Sequence, residues 1–118
     1  MKTFKRRAAQ GEVTLTRVDH VPDGLVPQAP VDGRVIVAHS ETGHHHVIEI
    51  EREDDPAAEF IPGKDPLTAW LKVNRPTALV HLRGHDTHEP LALSPGLYRC
   101  DYGREFDPYE QIMRRVAD

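Results

Sequence analysis

One cysteine, Cys100, stands in the whole chain. An internal disulfide framework and a cysteine-built zinc knuckle are therefore excluded, which suits a reducing compartment. Aromatic residues are also scarce at 6%, so a core must be built mainly from aliphatic side chains around Trp70 and a few rings. No apolar run approaches the length needed to span a bilayer, and the Lys2–Arg7 start contains no apolar segment of a secretory signal. A cytoplasmic location is the default expectation. Positive charge is in deficit, with 15 Lys and Arg against 19 Asp and Glu, a net charge of -4. Bulk electrostatics thus disfavour nucleic acid as a partner. The basic run Lys2, Lys5, Arg6 and Arg7 reads as a solvated arm over residues 1–10.

Proline and glycine, by contrast, are plentiful, with ten and eight copies in 118 residues. They favour many turns over long helices, and the length fits one domain. Period-two alternation marks seven candidate strands. The first runs from Glu12 to His20, with Val13 and Leu15 on one face. Arg34 to His39 and His44 to Glu51 follow as a hairpin after the Asp32-Gly33 turn signal. Leu67 to Val73, Thr77 to Arg83, Leu91 to Leu93 and Leu97 to Tyr102 complete the set. Arg52 to Pro66 reads as a long surface loop, a flap with Phe60 and Ile61 as its apolar latch. With no helical crossovers, the strands must pair mainly antiparallel. The expected fold is all-β, a small antiparallel barrel or jelly-roll sandwich forming one domain over residues 1–118.

Only the end of the chain looks helical. Asp107 is a capping residue, Pro108 suits the first helical position and Glu110 has capping-box spacing. Tyr109, Ile112, Met113 and Val116 fall on one stripe. The pattern predicts a helix over 107–117, lying across a sheet edge or reaching a partner chain, as in a homodimer.

Histidine is what the sequence has in excess. Seven of its eight copies lie in two windows, Ala38 to Ile50 and His81 to Pro90. Imidazole is the commonest metal ligand and the one side chain that titrates unperturbed near neutral pH. On a strand, His44 and His46 share a face, roughly 6.5–7 Å apart along the backbone. Ile48 and Ile50 mark that face as inward, and His81 shares its own face with Thr77 and Leu79. His85 and His88 flank a tight turn. His44 and His46, joined by one or two ligands from the second window, His88 first and His85 or His81 besides, would leave a position open for water or a small-molecule substrate. Glu41, Asp86 and Glu89 are the carboxylates within reach of such a site, with Glu41 the candidate general base and His85 a candidate ligand or proton shuttle. Zinc, iron, manganese and nickel are all compatible with these donors. A bare H-x-H pair is common by chance, and the alternative is a β-module for protein interaction or assembly whose histidines are structural.

Other chemistries fail on spacing. There is no H-E-x-x-H zinc motif, no cysteine pair for a deaminase, and only one H-x-T, His85-Asp86-Thr87, where a two-histidine phosphoesterase has two. No glycine-rich phosphate loop is present.

The pair His44-x-His46 after a hairpin, a later histidine and Pro95-Gly96 before the final strand resemble a degenerate cupin. The resemblance implies a double-stranded β-helix whose metal is held by the H-x-H pair, a glutamate and a later histidine. Here those roles would fall to His44, His46 and one of His81, His85 or His88. Ala38 stands where the family has an early glycine, and Ile50 or the off-parity Glu51 where it has its glutamate. Over most of its length the chain also resembles small bacterial and phage-associated proteins, through Gly11-Glu12-Val13, Glu41-Thr42-Gly43-His44-x-His46, His88-Glu89-Pro90, Pro95-Gly96-x-Tyr98 and Arg104-Glu105-Phe106. That likeness brings no activity with it, but favours His44, His46 and His88 over His20, His39 and His45.

Overall fold

A computed structural model describes residues 1–39, 45–82 and 89–103. Within them run nine strands: β1 (Arg7–Gln10), β2 (Val13–Val18), β3 (Arg34–Ala38), β4 (His46–Glu49), β5 (Ala58–Pro62), β6 (Thr68–Val73), β7 (Thr77–His81), β8 (Leu91–Leu93) and β9 (Gly96–Tyr102). They form two antiparallel sheets, ordered β1-β2-β9-β6-β5 and β3-β4-β7-β8. The chain lays down hairpins on alternate sheets, and β9 returns to lie between β2 and β6. The all-β expectation holds, and the frame is a two-sheet sandwich. The helix predicted over 107–117 lies outside the described residues.

Alternation explains the core. Val13 and Leu15 from β2, Leu71 and Val73 from β6, and Tyr98 and Cys100 from β9 face Val35, Ile48, Leu79, Leu91 and Leu93 from the other sheet in one buried cluster. Tyr102 fastens the layers further, donating its hydroxyl to the Val37 carbonyl at 2.5 Å. One turn was readable in advance. Asp32 and Gly33 both take positive φ, 51° and 73°, the primed geometry that suits a tight hairpin. The turn is closed by paired Val31 and Arg34 bonds of 2.8 and 3.0 Å. Gly11, at φ 59°, opens the two-residue turn from β1 to β2.

Two sequence expectations are corrected. The flap over Arg52 to Pro66 is in its second half a strand, β5, paired with β6 along its length. Phe60 and Ile61, the supposed latch, are 2% and 7% exposed. They alternate normally, Phe60 opposite Leu71 in the core and Ile61 opposite Trp70 on the outer side. Pro56 and Pro62 disguised the strand, and Pro62 is tolerated because β5 is an edge strand.

The basic arm is likewise built into the fold. Arg7–Gln10 pairs with β2, and Lys2 exchanges backbone bonds with Pro90 and Ala92 beside β8. The charges of Lys5, Arg6 and Arg7 remain exposed while Ala8 and Gln10 turn inward. An alanine and a glutamine give too weak a period-two signal to announce a strand.

Candidate functional site

The two histidine windows meet at one end of the second sheet. Antiparallel pairing of β4 with β7 sets His46 directly opposite His81, and the amide of Leu82 donates to the carbonyl of His45 at 2.8 Å. Both facing imidazoles are inward, as their parity predicted, with His46 2% and His81 9% exposed. Their rings stack, 4.3 Å between centroids and 14° between planes. At the same strand ends the rings of buried His39 and half-buried His45 meet edge to face at 5.2 Å and 70°. Four imidazoles thus gather where β3 ends, β4 begins and β7 ends.

Their organiser comes from the opposite sheet. Gln10, the last residue of β1, is 1% exposed and reaches across the sandwich. Its amide nitrogen donates to the Leu79 carbonyl at 2.9 Å and the Glu89 carbonyl at 3.0 Å. Both amide hydrogens are thereby committed, which orients the side chain and leaves its oxygen as an acceptor. That oxygen lies 2.8 Å from Nδ1 of His46. Nδ1 must then carry the proton, a tautomer assigned from the network of bonds. In the neutral ring Nε2 is consequently the acceptor nitrogen, and it faces Glu12 Oε2 at 4.0 Å. Glu12 sits in the β1–β2 turn, so Gly11 places Gln10 on one side and the carboxylate on the other. Its side chain is 38% exposed, which puts this end of the site at the surface.

The stacking constrains the chemistry. Ring lone pairs lie in the ring plane, so two nearly parallel, stacked rings do not aim them at one point between them. His46 and His81 are therefore a packed pair in this arrangement. Among the described residues no group of three or more His, Cys, Asp or Glu is disposed to hold a metal.

Of the sequence-predicted site residues, His46 is placed as described. His44 and Glu41 belong to residues 40–44, and His85 and His88 to residues 83–88, all outside the described residues. The described ends that bracket these segments, His39 with His45 and Leu82 with Glu89, are the strand ends just located. Sequence reasoning passed over Gln10, which looked like part of a polar arm. Glu12 appeared only as one letter of Gly11-Glu12-Val13, with no role attached. No helix among the described residues is long and apolar enough to cross a membrane.

Residues 9–102 match the model of a family described as a domain of unknown function (DUF8820). No curated protein and no solved structure matches the chain.

Proposed function

We propose, for a chain that belongs to the DUF8820 family, that the domain binds a divalent metal ion at the histidine end of its sandwich. The observation that carries this is the Gln10 contact. A histidine whose Nδ1–H is held by an oxygen acceptor and whose Nε2 lies 4.0 Å from a carboxylate oxygen has the second-nitrogen hydrogen bond that metal-bound imidazoles usually have. His46 would supply Nε2, and Glu12 would supply or orient a carboxylate. The sequence offers His44, His85 and His88 on the two segments that join the same strand ends, with zinc, iron, manganese or nickel compatible. The two-sheet antiparallel frame suits the cupin resemblance. His81, stacked on His46, is a positioning residue in this reading.

A bound divalent ion would supply Lewis acidity to a water or a small oxygen-bearing substrate. Glu41 is the proposed base and His85 the proposed proton carrier. The single cysteine, buried as a core residue, suits a reducing compartment such as the cytoplasm.

The test is elemental analysis of protein purified without an affinity tag. Near-stoichiometric metal, lost in a His44→Ala/His46→Ala double variant, supports the site. Absence of metal, with thermal stability unchanged by chelation, removes it. The stacking of His46 on His81 favours a second reading in that event. Two imidazoles packed face to face serve as core aromatics, and the domain is then a β-module for protein interaction or assembly.

A further inference from the structure

The two sheets end on the edge strands β1, β5, β3 and β8, and all but β1 are shielded. Along β8, Lys2 exchanges backbone bonds with Pro90 and Ala92. Along β5, the Gln28 amide donates to the Phe60 carbonyl, and Pro62 removes an N–H from the strand. β3 is broken by a bulge between Ile36 and Ala38, a device that discourages strand addition. Among the described residues β1 has neither proline, bulge nor covering segment.

The phase of its hydrogen bonds shows which groups β1 presents. The Arg17 amide donates to the Arg6 carbonyl at 2.8 Å, so these two residues form a bonded pair. Bonded pairs alternate along an antiparallel ladder, which makes Ala8–Leu15 and Gln10–Val13 the next two. Arg7 and Ala9 therefore aim their backbone N–H and C=O groups away from β2. Both residues are exposed, and neither meets a backbone partner there among the described residues. The approach is clear of bulk, because Ala9 carries only a methyl group and Arg7 folds back over its own sheet. Its Nε donates to Thr16 Oγ1 at 3.2 Å.

We infer that this edge pairs antiparallel with β1 of a second copy, about a twofold axis at Ala8, joining the two first sheets into one. Charge favours a second copy as the occupant. The segment begins with exposed Lys5 and Arg6 and ends in a turn that carries Glu12. Self-pairing about Ala8 sets Arg7 opposite the partner's Ala9 and Gly11 opposite the partner's Lys5. Each basic start thus lies beside the other copy's acidic turn, and no two arginines stand directly opposite, where like charges destabilise. Arg7 and the partner's Ala9 share the open phase, so they exchange both backbone bonds, and the twofold repeats them. The pairing also brings the partner's Lys5 and Arg6 towards Glu12, the carboxylate 4.0 Å from His46. It stands on the β1 edge and is independent of the metal reading.

Oligomeric state and register test it. A contact this small fits a weak dimer, so sedimentation equilibrium at about 100 µM is expected to show a dimer that dissociates on dilution. Ala9→Pro removes one outward N–H, which an edge strand tolerates. That variant is expected to be monomeric at the same concentration with the parent's circular dichroism, while Ala9→Ser keeps the N–H and the dimer. In a Cys100→Ala background, Arg7→Cys protein is mixed with Ala9→Cys protein and mildly oxidised. The mixed disulfide is expected above its random share, because bonded partners sit ~5.5 Å apart, within disulfide reach. A parent that stays monomeric, a dimer that survives Ala9→Pro, or a mixed disulfide at or below its random share would each overturn the inference. Should Ala9→Pro misfold, the disulfide yields decide alone.

Discussion

Gln10 and His46 lie 36 positions apart in the chain and 2.8 Å apart in space, amide oxygen to Nδ1. The contact joins the two sheets at the end where the histidines collect. It also selects the tautomer of His46, because Gln10 has spent both of its amide hydrogens on the Leu79 and Glu89 carbonyls. One side chain thus ties the Leu79 and Glu89 carbonyls to the His46 ring at this end of the molecule.

Replacing Gln10 by leucine keeps the volume roughly and removes every one of those bonds. Two carbonyls and one ring nitrogen lose their partner, and a buried polar group left unsatisfied costs about 1–3 kcal/mol. The expected loss is about 2–4 kcal/mol after partial rescue by water, read as a lower midpoint in urea with an unchanged slope. A loss under about 0.5 kcal/mol would show that the network is ornamental to the fold.

Metal affinity should separate the histidine-end residues by role. His46→Ala is expected to abolish binding measured by calorimetry with zinc. Gln10→Ala, which frees the ring it orients, should weaken binding by about 10–100-fold. His81→Phe retains a flat partner for the stack and should bind within about threefold of the parent. Equal losses in all three would mean that His81 is a ligand and that the stacked arrangement is not the binding one.

Tyr102→Phe deletes a single hydroxyl and its 2.5 Å bond to the Val37 carbonyl. The carbonyl belongs to the opposite sheet and the bond is buried. The expected cost is about 1–2 kcal/mol by chemical denaturation, with strand content by circular dichroism unchanged. Were Tyr102→Phe neutral, water must replace the hydroxyl at Val37.

Phe60→Ala distinguishes a core strand from a flap. At 2% exposure and opposite Leu71, Phe60 should cost about 3–5 kcal/mol on truncation. Lys64→Ala, at an exposed position nearby, should stay within about 0.5 kcal/mol. A mobile latch would give small effects at both positions, so a stable Phe60→Ala protein contradicts the strand.

How much could be read in advance follows from how local each signal was. Val13 and Leu15, or Tyr98, Cys100 and Tyr102, alternate strongly enough to show a strand and its inward face. Asp32-Gly33 specified its turn because few residues accept two consecutive positive φ angles. The inward direction of His46 and His81 came from parity alone. In contrast, β1 was hidden because Ala8 and Gln10 are a small and a polar residue, and β5 because prolines flank it. Both are edge strands whose identity depends on the neighbour they pair with.

The sequence by itself determined the class of the fold, the faces of its main strands and the concentration of imidazole in two windows. These depend on alternation and turn stereochemistry, which act over a few residues. Only the tertiary structure decided that β4 lies beside β7, so that His46 meets His81. It alone brought Gln10 and Glu12 to that pair from another sheet. Contacts between residues 36 or 69 positions apart follow from how two whole sheets pack, and no local pattern encodes that packing.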